Sequence, residues 1–183
     1  MKEPVTTDPK GENLHEQVNT SALVKKKHSM ISAEYITGFI DGEGSFLVSF
    51  NRRSKALVGL EVRPSFSVSQ HKRNEKILYQ IKKYFSCGTV RFDGHDQTYK
   101  YEVRSLNDLI RKIIPHFKQT SLQTTKAKDF QKLDEICLLM QIKKHLTQKG
   151  LKEILNLAYT MNNLGARKYT KQDLLKIVYK MKV

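Results

Sequence analysis

Two sets of residues in this 183-residue chain have the types and spacing to do chemistry. The first is a pair of carboxylates, Asp41 and Glu43, separated by Gly42 and followed by Gly44. Carboxylates are hard oxygen donors of the kind divalent cations take. Taken alone, a Glu between two glycines reads as a solvated turn residue. The second set is a series of polar and cationic side chains that alternate with apolar ones. Ser45, Leu47, Ser49, Asn51 and Arg53 alternate with Phe46, Val48 and Phe50. Glu61, Arg63, Ser65, Ser67 and Ser69 alternate with Val62, Pro64, Phe66 and Val68. Arg91, Asp93, Lys100, Glu102 and Arg104 alternate with Val90, Phe92, Tyr99, Tyr101 and Val103. On a twisted two-stranded ribbon such side chains can read base edges in the major groove of DNA. By themselves they are equally the solvated face of any half-buried sheet.

The charge points to nucleic acid or to an anionic membrane surface rather than to a basic ligand. The net charge is +15, from 33 Lys+Arg against 18 Asp+Glu, an excess that calls for an anionic partner. Residues 1–30 carry five lysines and four acids, so +14 falls on the remaining 153 residues. That first stretch is polar, lacks periodicity and contains Pro4 and Pro9. It reads as a disordered arm, with Lys25–Lys27 able to touch a phosphate backbone or simply to be solvated. Residues 143–183 hold ten Lys/Arg and two acids. No apolar run approaches the ~18 residues of a membrane span, and no signal-peptide core opens the chain. The expectation is an intracellular protein without a membrane partner, from an organelle (chloroplast or mitochondrion) or a prokaryotic cytoplasm. Cys87 and Cys137 are too few for a zinc cluster or a disulfide framework and read as buried thiols.

The elements that must position these residues follow from periodicity. Ser32 caps a helix over about 33–42, with Ile36, Phe39 and Ile40 on one face and Gly38 and Gly42 on another. Strands follow at 45–53 and 60–70, with Pro64 marking an irregular or edge position. Asn74 caps a helix carrying Ile77, Leu78, Ile81 and Phe85, stopped near Gly88. A hairpin spans Thr89–Asp93 and Thr98–Ser105. A short helix is ended by Pro115. A long helix covers about 122–144, and two amphipathic segments cover about 148–161 and 171–182, the last capped by Thr170 and Asp173. The expected class is α+β: an antiparallel sheet with helices on one face, in the order αββαββα, plus C-terminal helices. The domain spans 31–183, with a C-terminal helical extension from about 145.

Residues 36–44, Ile-Thr-Gly-Phe-Ile-Asp-Gly-Glu-Gly, continued by Ser45-Phe46, resemble the LAGLIDADG signature of homing endonucleases. The resemblance covers residues 31 to about 162. It includes the stretch Leu122-Gln-Thr-Thr-Lys-Ala-Lys-Asp-Phe130, His145-Leu146-Thr147 and Gly150-Leu151. Departures are conservative: Ile36, Thr37, Phe39, Gly42 and Glu43 replace Leu, Ala, Leu, Ala and Asp. The resemblance implies a saddle-shaped sheet and a site-specific, Mg²⁺-dependent (or Mn²⁺-dependent) DNA endonuclease leaving 3′ overhangs.

Residue roles are carried over from that resemblance. Glu43, just past the helix end, and the Gly42 carbonyl would hold the metal. Gln70 would order water near the cleavage site, and Lys126 would reach the metal and the scissile phosphate. Asp41 is assigned a structural or polar role. Lys72 and Arg73 would touch phosphates, and the outward strand residues would contact the bases. Members with one motif form homodimers, and only one motif is present here. The implied interface is Gly38 and Gly42, a small-xxx-small face, with Thr37 and Tyr35. The target is then a long pseudo-palindromic double-stranded DNA. The rival readings are an intron maturase with an intron RNA partner and a catalytically silent DNA-binding regulator.

Overall fold

The computed structural model describes residues 31–53, 58–162 and 166–180. The N-terminal arm expected over 1–30 lies outside the described residues. The elements are α1 (Ala33–Glu43), β1 (Gly44–Arg52), β2 (Leu60–His71), a 3₁₀ turn (Lys72–Asn74), α2 (Glu75–Phe85), β3 (Thr89–Asp93) and β4 (Thr98–Val103). They continue with α3 (Leu106–Asp108), a π-helical stretch (Leu109–Ile113), α4 (Ile114–Gln119), α5 (Lys126–Gln141), a 3₁₀ turn (Lys144–Leu146), α6 (Gln148–Ala158) and α7 (Lys171–Tyr179). The strands form one antiparallel sheet in the order β1-β2-β4-β3. This is the α+β architecture expected from the alternation.

The inward rows build the core. Phe46, Val48, Phe66, Val68, Tyr101 and Val103 are buried, under Ile36 and Ile40 of α1, Leu78 and Ile81 of α2, and Leu133 and Ile136 of α5. Phe46 is its hub: the rings of Phe66, Phe117 and Phe130 lie 5.4, 5.3 and 5.5 Å away. Such aromatic pairs add about 0.5–1.5 kcal/mol each beyond area burial, and these join sheet, α4 and α5. Phe92 has inward parity yet is exposed. It lies on the edge strand β3, where its ring packs on Tyr99. Leu151, Ile154, Leu155 and Ala158 of α6 and Leu174 and Val178 of α7 belong to the same core.

Several local expectations change. Pro115 does not end a helix. The chain widens into the π-helical stretch, with the Ile114 N–H bonding to the Leu109 carbonyl, and continues through α4 to Gln119. The wider turn makes room for a ring that would otherwise clash with the carbonyl one turn back. Pro64 sits on β2 where β1 pairs with it but β4 does not, since that second pairing starts at Phe66. It is thus at a local edge. Asn74 occupies the cap position of α2, but its amide donates to Gln70 (3.3 Å) instead of capping. The long helix begins at Lys126 and not at Leu122. Cys87 is only half-buried, in the turn after α2, whereas burial of Cys137 pushes its thiol up to about 12. Among the described residues no helix is long and apolar enough to cross a membrane.

Candidate functional site

The site begins where α1 turns into β1. Ser32 accepts the Tyr35 N–H (3.2 Å), starting α1 as a polar cap should. Glu43 is the last helical residue, not the first beyond the helix, and the backbone N–H of Gly44 closes the final turn on the Ile40 carbonyl. A Cβ at residue 44 would lie 2.4 Å from Ile40 Cγ2 and 2.7 Å from its carbonyl oxygen, so the direct passage from helix to strand requires glycine there. The Glu43 carboxylate is exposed and, among the described residues, makes no hydrogen bond or ion pair within the chain.

The start of α5 is fastened to this junction from both sides. The Lys126 ammonium donates to the carbonyls of Gly42 (2.6 Å) and Asp41 (2.9 Å). These carbonyls are at the C-terminal end of α1, where a helix carries partial negative charge. In return the Asp41 carboxylate accepts the N–H of Gln123 (2.9 Å), the N–H of Thr124 (3.1 Å) and the Thr124 hydroxyl (2.7 Å). The Thr124 oxygen in turn accepts the N–H of Lys126 (3.3 Å). Gln123 and Thr124, whose donors are committed to Asp41, stand outside the helix. Burial alone would raise the Asp41 carboxyl, but the Thr124 hydroxyl, the two N–H donors and the Lys126 charge together hold it below the usual carboxylate range. This is a structural role of the kind expected of Asp41; what the sequence did not give is its partners, Gln123 and Thr124, more than 80 residues downstream.

Gln70 lies two residues beyond Val68, which pairs with Gly44, so it shares this end of the sheet with Glu43. It continues the row of Phe66 and Val68 and accepts from Asn74. Glu43, the Gly42 carbonyl, Lys126 and Gln70 thus gather at one end of the sheet.

On the outward face Leu47, Ser49, Arg53, Arg63, Arg91, Asp93 and Arg104 are exposed, and Ser45, Asn51, Glu61 and Lys100 half-buried. Three expected contacts are not available. Ser65 and Ser67 are each 8% exposed, because β2 is central and short side chains are overhung by neighbours on β1 and β4. Glu102 is 6% exposed beneath Arg91, Lys100 and Arg104. Lys72 donates to Gln97 (2.8 Å) across to the hairpin turn, and Arg73 is exposed.

The remaining face of α1 presents Tyr35, Gly38 and Gly42 to solvent, and a Cβ at either glycine would meet nothing within 4 Å. Thr37 is a correction: it is buried, not on this face. Its hydroxyl donates to Thr120 (2.8 Å) and lies 3.0 Å from His116 Nε2. The hydroxyl proton goes to Thr120, so Thr37 accepts from Nε2–H, and Nδ1 accepts from the Tyr84 hydroxyl (3.2 Å). At about 100° per residue, position 37 lies about 60° from Ile40 but about 140° from Gly42. Burial lowers the His116 pKa, opposed by the charge of Glu34.

Residues 36–137 match the model of the LAGLIDADG endonuclease family. The chain is 33% identical over 115 residues to the probable intron-encoded DNA endonuclease 1 of Mycosarcoma maydis, a match covering 63% of this chain and 40% of that relative. The chain therefore spans less than half of that relative's length. Among solved structures it is similar to the homing endonuclease I-TnaI, with a TM-score of 0.72 at 34% identity over 83% of this chain and 99% of that one. It is also similar to the archaeal intron-encoded homing endonuclease I-Vdi141I complexed with DNA, with a TM-score of 0.75 at 32% identity over 81% of this chain and 95% of that one.

Proposed function

Because the chain belongs to the LAGLIDADG endonuclease family, we propose that it is a site-specific DNA endonuclease that acts as a homodimer on a long pseudo-palindromic target. The observation that carries this reading is the α1–β1 junction, where an unpaired Glu43 carboxylate adjoins carbonyls held by Lys126. Residues more than 80 positions apart in sequence converge there without forming a closed structural ion pair.

The donors fit a divalent cation. Glu43 and the Gly42 carbonyl are hard oxygen ligands, and Mg²⁺ commonly takes one or two carboxylates together with phosphate oxygens and water. Among the described residues no subunit gathers three acidic, His or Cys ligands by itself, which suits a site completed by DNA and by a second Glu43 across a dyad. When bound, Mg²⁺ (or Mn²⁺) would supply an activated water and charge neutralisation at the scissile phosphate. The chain's own residues do the rest. Glu43 fixes the position of the break relative to the sheet. Lys126, already at the helix end, offers a cation to the phosphate once it leaves the Gly42 carbonyl. Gln70 presents an amide that can orient water. The outward rows of β1–β4 hold each half-site, and Tyr35, Gly38 and Gly42 let two copies of α1 approach closely. Two cuts across the minor groove would leave 3′ overhangs.

The test pairs binding with cleavage on a duplex selected by the protein from a random library. Glu43→Gln keeps the side-chain shape and removes the charge. Binding should persist, because most affinity comes from phosphate and groove contacts, while cleavage should fall by several orders of magnitude. Near-normal cleavage by Glu43→Gln would refute the role of Glu43, and binding without cleavage by the wild type would favour a DNA-binding regulator. Selection of a structured RNA over duplex DNA would favour a maturase.

A further inference from the structure

The outward face of the sheet contains a buried acid that direct base contact does not explain. A Glu can accept from the exocyclic amine of cytosine, but Glu102 is 6% exposed and its oxygens are engaged. Arg91 Nη2 lies 2.7 Å and Arg104 Nε 2.9 Å from Glu102 Oε2, with Lys100 Nζ 3.8 Å from Oε1. The three cations themselves remain 59%, 55% and 43% exposed. The acid is therefore inside the sheet surface and its cations are outside it.

The two guanidiniums meet that acid differently. Arg91 gives a terminal nitrogen to it. Arg104 approaches through Nε, and among the described residues neither of its terminal nitrogens makes a hydrogen bond within the chain. Its end-on fork is free, and that fork matches the O6 and N7 acceptors of guanine. Holding a long side chain in one direction before binding lowers the ordering cost of the complex.

The same device occurs on β2. Glu61-Val62-Arg63 repeats the residues Glu102-Val103-Arg104. Val62 and Val103 are both buried, so each Glu and Arg emerge two residues apart on the outward face. Arg63 also meets its acid through Nε, 3.3 Å from Glu61 Oε1. That copy is only partial: Glu61 is 33% exposed, and Arg63 Nη1 donates to the Asn51 side-chain amide oxygen (2.9 Å), so its end-on fork is not free.

Resting on the DNA-target reading above, we propose that Glu102 is a positioning residue that aims Arg104 at the O6/N7 edge of a guanine in each half-site. Specificity at that base pair is then a property of the Glu–Arg unit and not of Arg104 alone.

The experiment selects bound duplexes from a random library in Ca²⁺ and sequences them, for the wild type, Glu102→Gln, Arg104→Lys and the double variant. The wild type should enrich guanine at one position per half-site that depends on Arg104. Arg104→Lys keeps the charge but loses the fork, and should lower that preference about 10-fold or more. Glu102→Gln should lower preference at the same base pair while its affinity for a fixed unrelated duplex holds or rises, since one negative charge is gone. The double variant should be no worse than Arg104→Lys alone, because Glu102 acts through Arg104. A purely structural Glu102 would weaken preference at all positions together, and that result overturns the inference, as does an unchanged guanine preference in Glu102→Gln. Should Glu102→Gln fail to fold, Glu102→Asp takes its place, and retained guanine preference in Arg104→Lys remains decisive against the proposal. A folded wild type that enriches no sequence overturns the DNA-target reading itself, which distinguishes the two failures.

Discussion

Replacing Asp41 by Ala should loosen the start of α5 and disable the site without touching Glu43. The carboxylate accepts from the Gln123 N–H, the Thr124 N–H and the Thr124 hydroxyl. Hydrogen bonds to a charged group contribute about 1.5–3 kcal/mol each, but these groups are partly exposed and water replaces some of the loss, so the sum should be about 2–3 kcal/mol. Lys126 follows, because its N–H is held by the Thr124 oxygen and its ammonium by the carbonyls beside Asp41. Urea titration should show a lower midpoint with an unchanged slope, the signature of lost stability without a changed denatured state. Cleavage of the selected duplex should fall more than binding, because Lys126 is displaced while the sheet is not. The pH dependence gives an independent sign. The folded Asp41 carboxyl lies below its ordinary value of 3.8, so its stabilisation is fully present above that value and is lost as pH falls through the lower folded one. The Ala variant should lack that acid-limb loss. A variant within about 0.5 kcal/mol of wild type, the range typical of inconsequential surface changes, with an unchanged acid limb would refute this account.

Three further outcomes are expected. Gly38→Leu meets no atom of its own subunit within 4 Å and removes a helix-weakening glycine, so it should hold or raise subunit stability while sedimentation shows a weakened dimer; a full-strength dimer would exclude this face. Thr37→Val removes the 3.0 Å acceptor of the His116 Nε2–H and the hydroxyl that donates to Thr120, leaving Nε2 only the longer 3.4 Å contact to Thr120, which keeps its own bond to the His116 carbonyl; this should cost about 1–3 kcal/mol in urea titration. Because burial depresses the His116 pKa below its ordinary 6.5, the stability tied to its neutral form is present above that value and is lost as pH falls below it; an NMR titration of the ring with an ordinary midpoint would contradict this.

Much of the fold could be read from period-two alternation because each strand has one buried face, and Phe46, Phe66 and Tyr101 sit where that alternation puts them. The alternation fixes parity but not shading. Ser67 has outward parity yet is buried, because its neighbours belong to strands more than 20 residues away in sequence. Thr37 was misplaced because a motif position suggests an interface, whereas its partners His116 and Thr120 lie about 80 residues downstream. Pro115 carries a strong local stop signal that the packing of Ile113, Ile114 and Phe117 overrides through a widened turn. The Glu43, Gln70 and Lys126 set was accessible only through its resemblance to a family, since nothing local in the sequence brings Lys126 to the Gly42 carbonyl.

The outer edge of β1 has a consequence for how copies of this chain can meet. The Asn162 amide donates to the Phe46 carbonyl (2.6 Å) and Arg167 donates to the Val48 carbonyl (3.2 Å). Arg167 also caps the end of α6 through the carbonyls of Met161 and Ala158. An unpaired strand edge invites a strand from another molecule. In a chain that also associates through a separate helix face, such pairing would be a second, non-closing contact and would propagate into filaments. By occupying those carbonyls with side chains, the segment after α6 blocks strand pairing along this part of β1 and directs any association between copies to other surfaces of the molecule.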